Sequence, residues 1–257
     1  MQLSSETNPI GNSFTELQSV DSTNNYALAK VHEGMAYHGD CFFARQQTQG
    51  KGQRGKTWVT EASLNILLSI VLKPQFLGVF QQFQLSACVA VAVHQFFSKY
   101  AGDDTKIKWP NDLYWKDRKA GGVLIENVIS SRQSAIGSWQ WAVVGIGINI
   151  NQTKFPNDLP NPVSLKQITA NNYDVVQLAK DLCALINNSY DQLKDEDFSI
   201  ILDQYNKFLY KKNEVVKLKK DNRIFETIIK GVNHSGQLAT QHAVEKDFDF
   251  GEVEWIL

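Results

Sequence analysis

The sequence predicts a mixed α/β (α+β) fold, a central mixed sheet flanked by helices, with a small β module at the C-terminus. Strand-like apolar runs alternate with helix-spaced patterns up to about residue 208, nothing repeats at a fixed interval, and beyond Tyr210 only short β segments remain. The expected division is a domain over 1–208 and a module over 209–257 that is too small for a large core of its own and docks on the first. With 257 residues, 43% hydrophobic, 11% aromatic and 21% charged, disorder and collagen-like repetition are excluded. Lys and Arg total 26 against 27 Asp and Glu, a net charge of -1, so no whole-protein basic field gathers nucleic acid or anionic membrane.

Each element has a local reason. Asp21 or Ser22 can cap a helix running to about Val31, and Cys41 to Ala44 reads as a short buried strand. Leu64 to Leu72 is the next strand. Phe80 to Tyr100 is the clearest helix, with Phe83, Ala87, Ala90, Val91, His94 and Phe97 at helical spacing. Thr105 to Trp109 and Leu113 to Trp115 are strands, the turn Lys116-Asp117-Arg118-Lys119 follows, and Gly121 to Val128 and Trp139 to Ile148 are buried strands. Pro156, Pro160 and Pro162 make 151–162 a surface loop, after which helices run over about Val175 to Leu193 and Asp197 to Phe208. The module then reads as strands at Glu214 to Leu218, Ile224 to Val232, Gln237 to Thr240 and Glu252 to Ile256.

Several chemistries are disfavoured. Cys41, Cys88 and Cys183 sit far apart in apolar company and read as core thiols, and five histidines form no HxxxH or HExxH pair. The polar first twenty residues lack an export pattern and no apolar run approaches the ~18 residues of a spanning helix. A soluble, cytoplasmic protein is expected.

Gly50-Lys51-Gly52-Gln53-Arg54-Gly55-Lys56-Thr57-Trp58 packs three glycines and three cations into one loop, suited to wrapping an anion with backbone N–H groups and cations. It matches G-x-G-x-x-G literally, but that fingerprint needs an acid ~20 residues on, and the chain there reads Ile70-Val71-Leu72-Lys73. It also matches G-x-x-x-x-G-K-[ST], a rival reading that lacks a later apolar strand ending in a magnesium-holding Asp. In Lys108-Trp109-Pro110-Asn111-Asp112, Trp and Pro fix a corner that offers a cation, an amide and a carboxylate able to meet magnesium. Lys119 precedes Gly121 and Gly122, where backbone can be approached closely, and Gly145 and Gly147 leave a slot beside the Asn149 amide.

Taken in order, Ser22-Thr23-Asn24, Gln47 to Trp58, Lys108 to Asp112, Lys119-Ala120-Gly121-Gly122-Val123-Leu124-Ile125-Glu126 and Gly145-Ile146-Gly147-Ile148-Asn149 resemble the biotin protein ligases across nearly the whole chain. The resemblance implies a catalytic fold akin to class II aminoacyl-tRNA synthetases with a C-terminal SH3-like barrel. The implied activity joins biotin to ATP, giving biotinyl-5'-adenylate, and then transfers the biotinyl group to a lysine of the biotin carboxyl carrier domain of a carboxylase. By the same resemblance Ser22, Thr23, Asn24 and Gln47 hold the ureido ring, Gly122 and Leu124 line its slot, and Gly50, Lys51, Gly52 and Gln53 order over biotin. Lys51, Arg54 and Lys56 sit on a loop that orders over biotin and the adenylate, Trp58 and Asn149 lie near the adenine, Asn111 lies near the phosphates or the metal, and Asp112 holds Mg2+. Lys119, touching biotin and ATP alike, is the central catalytic cation, and Arg54 of the loop is the second residue given a catalytic role.

Ser22-Thr23-Asn24 begins so early that the monofunctional type, without a DNA-binding domain, is expected, and so is a monomer or homodimer. Gln53 stands where the family most often has Arg, a departure that removes one charge from the loop. The nearest competing reading is a lipoate or octanoate transferase of the same fold, and a non-enzymatic one is a biotin-binding regulatory protein.

Overall fold

The computed structural model describes residues 8–130, 138–242 and 244–256. Its larger sheet is built from β1 (Phe14–Leu17), β2 (Cys41–Ala44), β3 (Asn65–Leu72), β4 (Thr105–Lys108), β5 (Asp112–Trp115), β6 (Arg118–Ser130) and β7 (Ser138–Asn149) in the order β1-β2-β3-β7-β6-β5-β4. Only β1 and β2 run parallel, so the sheet is mixed as expected. The helices are α1 (Thr23–His32), α2 (Gln82–Ala101), α3 (Leu165–Thr169), α4 (Val175–Asp195) and α5 (Phe198–Lys207). A second, antiparallel sheet of β8 (Val215–Lys220), β9 (Arg223–Val232), β10 (Leu238–Gln241), β11 (Glu245–Phe248) and β12 (Glu254–Ile256) has the order β11-β10-β9-β8-β12 and fits the SH3-like expectation.

The strand period of two sorts the large sheet into two faces. On β3, Ile66, Leu68, Ile70 and Leu72 join the main core with α2 and α4, while Val71 packs with Ala27 and Val31 of α1. On β7 the even-numbered Val144, Ile146 and Ile148 enter the main core, leaving Gly145, Gly147 and Asn149 on the other face. β2 and β3 were legible because both are continuous buried runs of apolar side chains. Leu218, Ile229, Val232, Leu238, Phe248 and Val253 of the C-terminal segment belong to that same core, so the small sheet shares its apolar interior with the helices. Hydrogen bonds reinforce the docking: Trp109 Nε1 donates to Gly236 O (2.9 Å), and Asn206 clamps Val232, its Nδ2 donating to Val232 O (2.9 Å) and its Oδ1 accepting from Val232 N (2.7 Å).

Three elements were not expected, and two local expectations need correction. β1, FTEL, is a half-exposed strand without apolar alternation, β11, EKDF, is largely exposed and charged, and α3 has only five residues, so none carries a periodic signal. The turn expected over Lys116 to Lys119 is tighter: Trp115 pairs with Arg118, Lys116 takes a φ of 51°, and Lys119 is already a strand residue of β6. Ser22 holds the N-cap position of α1 but its side chain makes no capping bond, and the Asp21 carboxylate accepts from Asn25 Nδ2 (2.5 Å) instead. α4 and α5 are capped by Asp174 and Asp197.

The three cysteines are free and buried, with Cys41 Sγ and Cys183 Sγ 3.6 Å apart. Among the described residues no helix is long and apolar enough to cross a membrane.

Candidate active site

The outward face of β3, β7, β6 and β5 floors a cavity of about 810 Å³. Register explains the floor. Ser69 of β3 stands opposite Gly145 of β7, which stands opposite Leu124 of β6; one step along, Leu67, Gly147, Gly122 and Asp112 form the next row across four strands. The two glycines of β7 are there because neighbours press onto them. A Cβ on Gly145 would lie 2.3 Å from Asn24 Oδ1, and one on Gly147 would lie 2.6 Å from the Trp58 indole. The slot expected beside Asn149 is therefore filled by Asn24 and Trp58, while Asn149 Nδ2 is bound to Val163 O (3.1 Å) at the end of the strand.

At one end, the first turn of α1 and the sheet build a buried polar network. Gln47 Oε1 accepts from Thr23 N (2.7 Å) and Thr23 Oγ1 (3.0 Å), and Ser69 Oγ lies 2.7 Å from Thr23 Oγ1 and 2.6 Å from Asn24 Oδ1. Asn24 Nδ2 donates to Glu126 Oε2 (2.7 Å), whose other oxygen meets Lys51 Nζ at 3.4 Å. Ser22, Thr23, Asn24 and Ser69 are all buried, so these side chains are held in one arrangement before any ligand arrives. An apolar slot rimmed by hydroxyl, amide and carboxylate groups accommodates a ligand whose small polar head both donates and accepts.

At the other end, Lys119 Nζ donates to Asp112 Oδ1 (2.7 Å) over Gly122 and lies 5.8 Å from the Trp58 ring. The Trp58 indole N–H is buried without a partner, its nitrogen pressed against Gly147. Lys108 Nζ donates to Tyr114 Oη (3.2 Å) and faces the Trp255 ring at 5.5 Å. Burial lowers Lys108 to about 8, against the nearby Asp112 carboxylate, which raises it. Asn111 is buried with its Nδ2 bonded to Val123 O, so its oxygen is what it offers the cavity.

The glycine loop spans the opening. Trp58 N donates to Gly50 O (2.8 Å) and Gly52 N to Lys56 O (2.6 Å), closing a hairpin whose tip is a single 3₁₀ turn over Gln53–Gly55. No helix follows the loop; the next regular element is β3, which excludes both the dinucleotide fingerprint and the P-loop, since each places its phosphate at a helix N-terminus.

Every site residue named from the sequence lines the one cavity except Gly50, which lies in an adjoining cleft with Lys51, Gly52 and Glu126. Arg54 also lines the cavity, and its guanidinium rests on the C-terminal segment: Nη2 donates to Gly251 O (3.1 Å) and the group sits 5.3 Å from the Phe250 ring. Sequence reasoning assigned no role to Ser69, Glu126 or Lys108. Ser69 had a signal, a lone hydroxyl inside an apolar strand; Glu126 and Lys108 stood within motifs already noted.

A sheet face with a buried polar pocket at one end and an ion pair under a cationic loop at the other is the design of an enzyme that holds a polar-headed acyl group beside a phosphate. The chain belongs to the biotin/lipoate A/B protein ligase family, whose model matches residues 16–149, more than half of its length. It is 28% identical over 246 residues to the bifunctional ligase/repressor BirA of Escherichia coli (strain K12), covering 95% of this chain and 74% of that one. With the biotin--[acetyl-CoA-carboxylase] ligase of Paracoccus denitrificans it shares 37% identity over 138 residues, 52% of this chain and 53% of that one. In fold it is similar to the biotin protein ligase from Aquifex aeolicus in complex with biotin and ATP, with a TM-score of 0.78 at 24% identity over 95% of this chain and 98% of that one.

Proposed function

We propose that this chain is a biotin protein ligase that forms biotinyl-5'-adenylate and pyrophosphate from biotin and ATP, then passes the biotinyl group to a lysine of the biotin carboxyl carrier domain of a carboxylase. The observation that carries the reading is the polar network of Thr23, Asn24, Gln47, Ser69 and Glu126, a pre-set array of donors and acceptors that suits a polar head rather than a bare acyl chain. The catalytic unit is taken as 1–208 and the small sheet as a module over 209–257.

In this reading Ser22, Thr23, Asn24 and Gln47 pair with the ureido edge, and Gly122 and Leu124 flank the ring. A biotin carboxylate oxygen attacks the α-phosphorus of ATP, the bond from that phosphorus to the bridging oxygen breaks, and pyrophosphate departs. Two anions meet in this step, and a fixed ammonium lowers its barrier. Lys119 supplies that ammonium, already oriented by Asp112. Lys51, Arg54 and Lys56 are the loop cations around the phosphates, Gly50, Gly52 and Gln53 give the loop its path, and Trp58, Asn111 and Asn149 form the walls of the nucleotide end. The product is a mixed anhydride, and a loop across the opening slows its hydrolysis. In the second step the neutral amine of the target lysine attacks the acyl carbon, AMP leaves, and the amine releases a proton.

For Mg2+ the fit rests on Asp112. One of its oxygens is bound to Lys119, and among the described residues there is no cluster of three or more metal-ligating side chains. Magnesium held by one carboxylate, substrate phosphates and water suits that supply, and its chemistry would be to neutralise the departing pyrophosphate.

The test is mass spectrometry of a biotin carrier domain incubated with the protein, ATP and magnesium, offering biotin or lipoate in parallel. A mass gain with biotin alone, lost with Lys119→Ala, is expected; gain with lipoate, or no gain from either, overturns the reading.

A further inference from the structure

The C-terminal segment contributes Phe250, Gly251, Val253, Glu254 and Trp255 to the cavity wall. Its closest approach to the glycine loop is at the tip. Arg54, at a φ of 55° and so in the left-handed region that a non-glycine residue adopts only under constraint, reaches out to Gly251 O at 3.1 Å and covers the Phe250 ring at 5.3 Å. Gly251 leaves no room for a side chain there, since a Cβ on it would sit 1.8 Å from Arg54 Nη2. Phe250 is itself backed edge-on by Trp109, whose indole N–H is bound to Gly236 O. The far side of the loop is tied separately, by Lys51 to Glu126 on β6.

The loop is thus a strap fastened at two points: one on the catalytic sheet, one on the C-terminal segment. We infer that Phe250 and the Gly251 carbonyl are positioning groups that hold the loop tip down through Arg54, and that this fastening keeps the acyl-adenylate in the cavity until the acceptor lysine arrives. The second half of the inference rests on the function proposed above. Gln53, one residue before Arg54, carries no charge with which to do this, which leaves the task to its neighbour. A hydrogen bond from a guanidinium together with a cation–π contact is strong enough to set an opening equilibrium yet weak enough to break in each turnover.

Two readouts separate the halves. Phe250 is half-exposed, at 49%, so its truncation leaves the core intact. Trypsin cleaves after Lys51, Arg54 and Lys56 only when the loop leaves its seat, and nicking of the ligand-free protein is expected to run about tenfold faster in Phe250→Ala than in wild type, with Phe250→Leu, which keeps bulk without the aromatic face, in between. Release of preformed biotinyl-adenylate, as a ratio to its rate of formation, is expected to rise about tenfold in Phe250→Ala. The Arg54→Ala and Phe250→Ala effects on nicking and release should not add in the double variant. Unchanged nicking in Phe250→Ala, or additive effects, overturns the fastening. Faster nicking with an unchanged release ratio overturns its role in retention. A wild-type protein that forms no adenylate defeats the proposed function instead, and the nicking arm still decides whether the strap exists.

Discussion

The two ends of the cavity are built on opposite principles. At the pocket beside α1, Ser22, Thr23, Asn24 and Ser69 are buried, Ser69 of β3 bonds both Thr23 and Asn24 of α1, and the glycine at position 145 exists so that Asn24 can lie flat on the sheet. At the loop end, Arg54, Gly55 and Lys56 are exposed, the tip is a single 3₁₀ turn, and Arg54 is held by Gly251 and Phe250 at the surface. Pre-organisation serves discrimination, because a polar head must match donors and acceptors that cannot rearrange; a lightly held, exposed loop suits entry and exit of a charged nucleotide. The ion pair of Lys119 and Asp112 stands between the two, on rigid strands but facing the loop.

The comparison can be broken most forcefully at the junction. Lys119→Ala removes the ammonium from between the reacting anions and should slow adenylate formation on the order of 10²–10³-fold in single-turnover assays, with biotin binding changed far less. Next comes Gly145→Ala, which drives a methyl into Asn24; biotin affinity should fall about 100-fold and unfolding stability by about 1–3 kcal/mol, measured by titration and urea melts. The matching change at the loop end, Gly55→Ala, meets no atom within 4 Å and costs only the strain of its φ of 74°, so stability should fall by about 1 kcal/mol with biotin affinity intact. Ser69→Ala should weaken biotin about tenfold, through the freedom it gives Thr23 and Asn24 rather than through any contact of its own.

A change far from both ends supplies a control. Burial lowers the His94 imidazole to about 4 while Nε2 lies 2.9 Å from Thr105 O and the ring stacks on Phe208. The folded state therefore resists protonation that the unfolded chain accepts near pH 6.5, and stability is lost as pH falls from there toward 4. About 2 kcal/mol should disappear between pH 7 and pH 5, with a shallower decline in His94→Gln, read from urea midpoints.

How much of this was legible in the sequence follows from where the signals lie. Strands such as β2 and β3 carry their own burial, and α2 shows its helical spacing, so their places were readable. β1 and β11 are polar segments that become strands because a neighbour offers a ladder, which no local pattern reveals. In the site, the glycine loop and the Lys108 to Asp112 corner announced themselves as unusual strings. Ser69 shows in the sequence only as a lone hydroxyl in an apolar strand, and its meaning depends on standing opposite Gly145 and beneath Asn24, a fact of register. The partners of Arg54 escape local reading for the same reason: Phe250 and Gly251 are nearly two hundred residues away, and only the docking of the small sheet brings them together.

The central claim is that the acyl end is complete before the nucleotide arrives. Calorimetric titration of biotin into the ligand-free protein, without ATP, tests it most directly, with lipoate as the parallel titrant. Saturable binding of one biotin per chain, absent for lipoate and weakened by Ser69→Ala, is the result predicted. Binding that appears only once nucleotide is added, or equal binding of lipoate, would contradict it.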